Sequence, residues 1–141
     1  MRSSLFITAM VLVLASCAGQ ELENRFIKAS DSKDGLYEFD VDIQDTLSLY
    51  DFAFYTRVDD MSLRSKYGSV QMDVRWMSPS SRRALEEDVY IGKGDLSGIF
   101  APYRSGVRLS ESGVWTLYVR PVHPPKGFRG IGLTVKKNGS R

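Results

Sequence analysis

Strict alternation of apolar and polar residues constrains this chain more than any other feature. Tyr37, Phe39, Val41 and Ile43 interleave with Glu38, Asp40 and Asp42. Val70, Met72, Val74 and Trp76 interleave with Gln71, Asp73 and Arg75, and Trp115, Leu117 and Val119 with Thr116, Tyr118 and Arg120. Successive side chains of a strand point to opposite faces, so each stretch reads as a half-buried strand. Residues 47–57 carry Tyr50, Phe52, Phe54 and Thr56 on one face, and Leu49, Asp51, Ala53, Tyr55 and Arg57 on the other. Apolar groups on both sides predict a central strand covered in part on each face.

Shorter strands are expected at 89–91, 103–109 and 130–135. Ser110-Glu111-Ser112-Gly113 reads as the turn of a hairpin joining 103–109 to 114–121. The polar stretch 59–68 reads as a loop and 80–88 as a short helix or a long loop. Residues 96–101 read as irregular, with Ile99 and Phe100 tucked under. His123-Pro124-Pro125-Lys126-Gly127 is a bend, because consecutive prolines offer no amide donors. Seven or so strands without an amphipathic helix or βαβ spacing predict an all-β fold. The expected form is a single antiparallel β-sandwich, jelly-roll or immunoglobulin-like.

Ahead of this body stands a different kind of sequence. Arg2 precedes the apolar run 5–14, and Leu14-Ala15-Ser16 leads to Cys17, the chain's single cysteine. A ten-residue run is too short to span a bilayer, which takes about 20, and the layout is that of a secretory signal. Leu14-Ala15-Ser16-Cys17 resembles the bacterial lipobox. That resemblance implies lipid attachment at Cys17, cleavage before it, and acylation of the new amino terminus; the alternative is ordinary secretion with cleavage near Ala18. The expected organisation is a signal peptide over 1–16, a flexible tether over 17–34, a sandwich over 35–137 and a polar tail over 138–141. The alternative for part of the tether is a short edge strand around 25–29. Two or three acyl chains hold a protein stably on a membrane. The expected location is therefore the cell envelope, at the outer membrane, with the periplasmic or surface face left open.

Composition narrows the partners. Loss of Arg2 with the signal takes the 19 Lys and Arg to 18 against 17 Asp and Glu. Such a near-neutral chain argues against a nucleic-acid partner, which would show as a clustered basic surface. With Cys17 consumed by lipid, no thiol remains for a disulfide.

The sequence offers little to an enzyme. His123 is the single histidine and lies in the proline bend, so no zinc set can be assembled. Glu86-Glu87-Asp88 and Asp59-Asp60 read as solvated acidic runs in loops, with a weak calcium site as the alternative. Gly92-Lys93-Gly94 lacks the spacing of a phosphate-binding loop. No catalytic residue, metal or cofactor is expected. Trp76, Tyr90, Tyr103, Trp115 and Tyr118 would serve a glycan-binding module if they formed an exposed platform, although both tryptophans fall on the apolar side of their strands. Arg104, Arg108, Arg120 and Arg129 read first as an ordinary solvated sheet face, with a shared outward face near the last hairpin that meets a partner as the alternative. With Tyr103 and Tyr118 added, Arg104, Arg108 and Arg120 make the candidate surface for an acidic envelope partner or a lipid headgroup.

Three further motifs carry a family resemblance: Ala101-Pro102-Tyr103-Arg104, then residues 113–121 from Gly113-Val114-Trp115 to Val119-Arg120-Pro121, then Gly130-Ile131-Gly132-Leu133. With the lipobox and the aromatic strand 50–57, the chain resembles the gliding-motility lipoproteins of the GldH type from Bacteroidota, over roughly residues 36 to 137. The resemblance implies an accessory envelope lipoprotein associated with surface gliding and the linked secretion apparatus, without enzymatic activity. Residues 78–93 do not follow the family, and His123-Pro124-Pro125 is more proline-rich than its usual bend.

Overall fold

Eight strands form among the residues that the computed structural model describes, which are 20–58, 69–82, 84–92 and 101–140. They are β1 (Gln20–Lys28), β2 (Tyr37–Ile43), β3 (Ser48–Val58), β4 (Ser69–Met77), β5 (Ala84–Gly92), β6 (Ala101–Val107), β7 (Gly113–Val122) and β8 (Phe128–Ser140), with one 3-10 turn at Ala29–Asp31. All neighbours run antiparallel. β1 pairs with β8, β2 with β7, β3 with β6 and β4 with β5. The chain is thus a double ribbon, rolled so that β3 also meets β8 and β4 also meets β7.

Two four-stranded sheets result, ordered β1-β8-β3-β6 and β2-β7-β4-β5. Every connection except β4–β5 crosses from one sheet to the other. This is the jelly-roll arrangement, and it decides against the immunoglobulin-like alternative. The predicted inward faces are the core. Phe39, Val41, Ile43, Phe52, Phe54, Met72, Val74, Leu117 and Val119 are all buried, together with Ile131, Leu133 and Val135 of β8.

Four expectations are corrected. The hairpin at 110–113 does not form, because β6 belongs to the first sheet and β7 to the second. Residues 108–112 cross the interlayer gap of about 10 Å, with Leu109 buried on the way. Residues 20–34 are not a tether. β1 covers the edge of β8, with Ile27 packed against the core and Phe26 stacked on Tyr55 outside. An open strand edge is a row of unpaired backbone groups, so covering it is stabilising. Residues 84–88 belong to β5, so the acidic run lies in an edge strand and not a loop. The tail 138–140 continues β8, where Ser140 pairs with Ser48.

A turn at 78–82 joins β4 to β5, with the Ser81 amide donating to the Ser78 carbonyl at 2.9 Å. The expectations for Cys17, for 59–68, and for Ile99 and Phe100 lie outside the described residues.

Candidate functional site

On one side of the sandwich the edge strands β5 and β6 of the two sheets face each other. Along β5, Leu85, Glu87 and Val89 lie opposite Trp76, Val74 and Met72 of β4. Glu87 therefore projects from the inner face of the sheet, an unusual place for a carboxylate. Arg104 of β6 meets it with two charge-assisted bonds, Nε at 2.9 Å and Nη2 at 2.5 Å. Tyr103 donates its hydroxyl to the same carboxylate and accepts from Trp76 Nε1 at 2.8 Å. The Arg104 guanidinium holds Glu87 below the usual carboxylate range despite partial desolvation. Burial, then the bond to Glu87, pushes the Tyr103 phenol up to about 12.

Behind this staple the aromatic rings interlock. Phe52 meets Trp76 edge-on at 4.8 Å, Tyr103 lies 5.0 Å from Phe54, and Trp76 meets Trp115 edge-on at 6.4 Å. Trp115 Nε1 donates to the Glu111 carbonyl at 2.9 Å. Between the staple and the end of the sandwich lies a cavity of about 160 Å³, walled by Trp76, Leu85, Val107, Leu109 and Trp115 with Arg104 at its side. Small-molecule sites occupy about 300–1,000 Å³, so this one has room for a single apolar side chain and offers no acid–base pair.

The candidate surface drawn from sequence does not assemble. Tyr103 and Arg104 close the β5–β6 gap on the first sheet. Tyr118 and Arg120 lie on the outer face of the second sheet, and Arg108 follows β6 at the end of the sandwich. The expectation placed β6 beside β7, and the rolled ribbon separates them. On the second sheet, Arg75 sits over the Tyr118 ring at 4.9 Å, and Arg120 Nη1 donates to the Asp34 carbonyl at 3.1 Å. Asp73 and Glu86 line the same shallow cleft, so charges of both signs alternate there, as on a solvated sheet face. Arg129 is the second residue of β8, on the first sheet, whereas Arg120 is on the second.

Trp76 and Trp115 are 4 % and 6 % exposed, which removes both from any sugar-stacking platform. Tyr103 is held in the staple, and Tyr118 is half-buried under Arg75. His123 stands exposed in its bend with φ 53°. Among the described residues, no group of three or more His, Cys, Asp or Glu side chains could hold a metal ion.

A different cluster emerges at the far end of the first sheet. Lys28, Arg57 and Arg129 surround a cleft of about 410 Å³ with Phe26 and Phe128, and no carboxylate is among its described lining residues. The Arg57 guanidinium lies 5.2 Å above the Phe26 ring. Sequence separation hid this cluster, because its members come from β1, β3 and β8. Glu87 was hidden too, although its parity with Val89 marks it as inward-facing. The chain matches no family model, no curated protein and no solved structure.

Proposed function

We propose that this chain is a lipid-anchored protein of the bacterial cell envelope. Cys17 carries the anchor, and the jelly roll binds another envelope component by surface contact without catalysis. Leu14-Ala15-Ser16-Cys17, directly after a short apolar run, carries the reading. Among the described residues no helix is long and apolar enough to cross a membrane. The basic and aromatic cleft of Lys28, Arg57 and Arg129 beside Phe26 and Phe128 is the surface suited to an acidic partner.

The resemblance to gliding-motility lipoproteins supports an accessory role beside the surface gliding and secretion apparatus. The residues behind that resemblance include Gly130 and Gly132, whose packing is structural, so they speak for fold more than for a partner.

Growth of a bacterial host with an alkyne palmitate analogue tests the anchor. Wild type is expected to take up the label and fractionate with membranes, and Cys17→Ser to lose both. Equal fractionation and no label in either chain would refute lipidation. For the partner surface, an Arg57→Glu, Arg129→Glu chain should lose crosslinks that the anchored wild type forms in intact cells. Unchanged crosslinks would remove that cleft from the reading.

A further inference from the structure

The pairing of β1 has a steric consequence for an anchor at Cys17. β1 is in register with β8 from Gln20 opposite Lys137, so the position of Gln20 is fixed on the sandwich. Only three peptide links, through Ala18 and Gly19, join it to Cys17. Whatever their conformation, they reach no further than about 11 Å. The 13-residue β8, at about 3.3 Å per residue, makes the sandwich roughly 40 Å long. A lipid at Cys17 therefore cannot leave the body free above the bilayer.

The end that Gln20 occupies is also where β2 stops, where β3, β5 and β7 begin, and where β8 finishes. Four large apolar side chains are exposed among the described residues, Leu22, Leu47, Leu85 and Val114. All four lie at this end. Leu47 immediately precedes β3 and is 71 % exposed, Leu85 and Val114 are the second residues of their strands, and Leu22 is the third of β1. Leu22 falls at the register shift between Glu21 and Glu23, so it projects from an interrupted part of the edge. The opposite end presents Asp31, Lys33, Asp34, His123, Lys126 and Arg129 to water, with no large exposed apolar side chain among its described residues.

We propose that the Leu22, Leu47, Leu85 and Val114 end seats directly on the bilayer, so that the jelly roll stands end-on and points the Lys28, Arg57 and Arg129 cleft away from the membrane. The occupant of this apolar end is the lipid surface itself. The proposal rests on anchoring at Cys17, and each exposed leucine or valine transferred into the interface contributes favourably by the apolar area it buries.

The test uses mature, membrane-extracted protein reconstituted in vesicles of phosphatidylethanolamine and phosphatidylglycerol. Leu47→Cys and His123→Cys are each labelled with an environment-sensitive fluorophore and quenched by spin-labelled lipid. Quenching at position 47 is expected to be several-fold stronger than at 123. Insertion of a long Gly-Ser spacer between Gly19 and Gln20 should reduce it. Equal, weak quenching at both positions would overturn the orientation while leaving the anchor intact. Wild type serves as the control for the anchor. A wild-type chain whose Cys17 thiol accepts the fluorophore is unlipidated, which overturns the anchor and the orientation with it.

Discussion

The ring of Tyr55 on β3 lies across Gly132 on β8 and fills the space that a side chain at 132 would need. From there it reaches toward β1, stacking on Phe26 at 5.7 Å and donating its hydroxyl to Asn24 Oδ1 at 3.0 Å. Gly132→Ala forces the ring off this seat. The ring is the end of a side chain and can swing outward, so the expected loss is about 1–3 kcal/mol, the range for overpacking. In a Tyr55→Ala background the same substitution should cost much less. A double-mutant cycle by urea unfolding measures the coupling, and additive losses would contradict this contact.

Gly130 presents the harder case. Its φ is +145°, and a Cβ there would meet the backbone carbonyl of Ile27 and the Cα of Lys28. Backbone of a paired strand cannot rotate away as the Tyr55 ring can. Gly130→Ala is therefore expected to destabilise more than Gly132→Ala and to unseat the last residues of β1. Hydrogen exchange at Ile27 and Lys28 should accelerate more than exchange in β7.

Acid should weaken the β5–β6 staple. The carboxyl of Glu87 sits below its ordinary value because of the Arg104 bonds. A depressed folded pKa contributes stability that is present above the unfolded value, near 4.5, and is lost as pH falls through the folded value. The pair is partly exposed, 41 % for Arg104 and 25 % for Glu87, so screening limits its worth to less than about 1 kcal/mol. Asp45, lowered by Ser48 and Lys137, acts in the same direction. Urea midpoints measured from pH 6 down to pH 3 should fall less steeply in Glu87→Gln than in wild type. At the alkaline end, Tyr103 contributes stability below pH 10 that disappears as pH rises through about 12, a loss that Tyr103→Phe should abolish.

Thr56 faces the core from β3 and is fully buried, and its hydroxyl has no hydrogen-bond partner among the described residues. A buried, unpaired hydroxyl costs about 1–3 kcal/mol. Thr56→Val keeps the shape and the strand preference while removing that group. The expected result is a gain of about 1 kcal/mol and a rise in Tm of several degrees by calorimetry. An unchanged or lowered Tm would show that the hydroxyl is satisfied.

Strands buried on one face were legible in the sequence, because β2, β4 and β7 each alternate without interruption. Their partners were not, since pairing in a rolled ribbon joins segments far apart, such as Tyr37 with Val119. Local turn chemistry at 110–113 pointed to a hairpin, and the competing requirement that β6 cover the edge of β3 prevailed. Edge strands were the least legible. β5 carries Glu86, Glu87 and Asp88, one of them inward, and an inward charge is a known means of discouraging sheet-to-sheet aggregation. The candidate surface failed for the same topological reason, because Arg104 and Arg120 were placed together only by the hairpin that does not form.

β1 shows most clearly how a polar segment becomes a strand, and it yields the last prediction. Its apolar residues Phe26 and Ile27 are adjacent and so point to opposite faces, which breaks the alternation expected of a half-buried strand. Each still has a seat, Ile27 against the core and Phe26 outside between Tyr55 and Arg57. Neither seat is visible until β8 and β3 are side by side. If those two contacts hold the strand, Phe26→Ala should lower amide protection across 23–28 while leaving β2 and β7 protected. The loss should reach 20–22 as well, because backbone pairing alone is weak at a bulged edge. Under the end-on orientation, the same variant in vesicles should also lose quenching at position 47, since a detached β1 adds its own length to the link between lipid and body. Retained protection over 23–28 would mean that hydrogen bonds to β8 suffice without the aromatic stack.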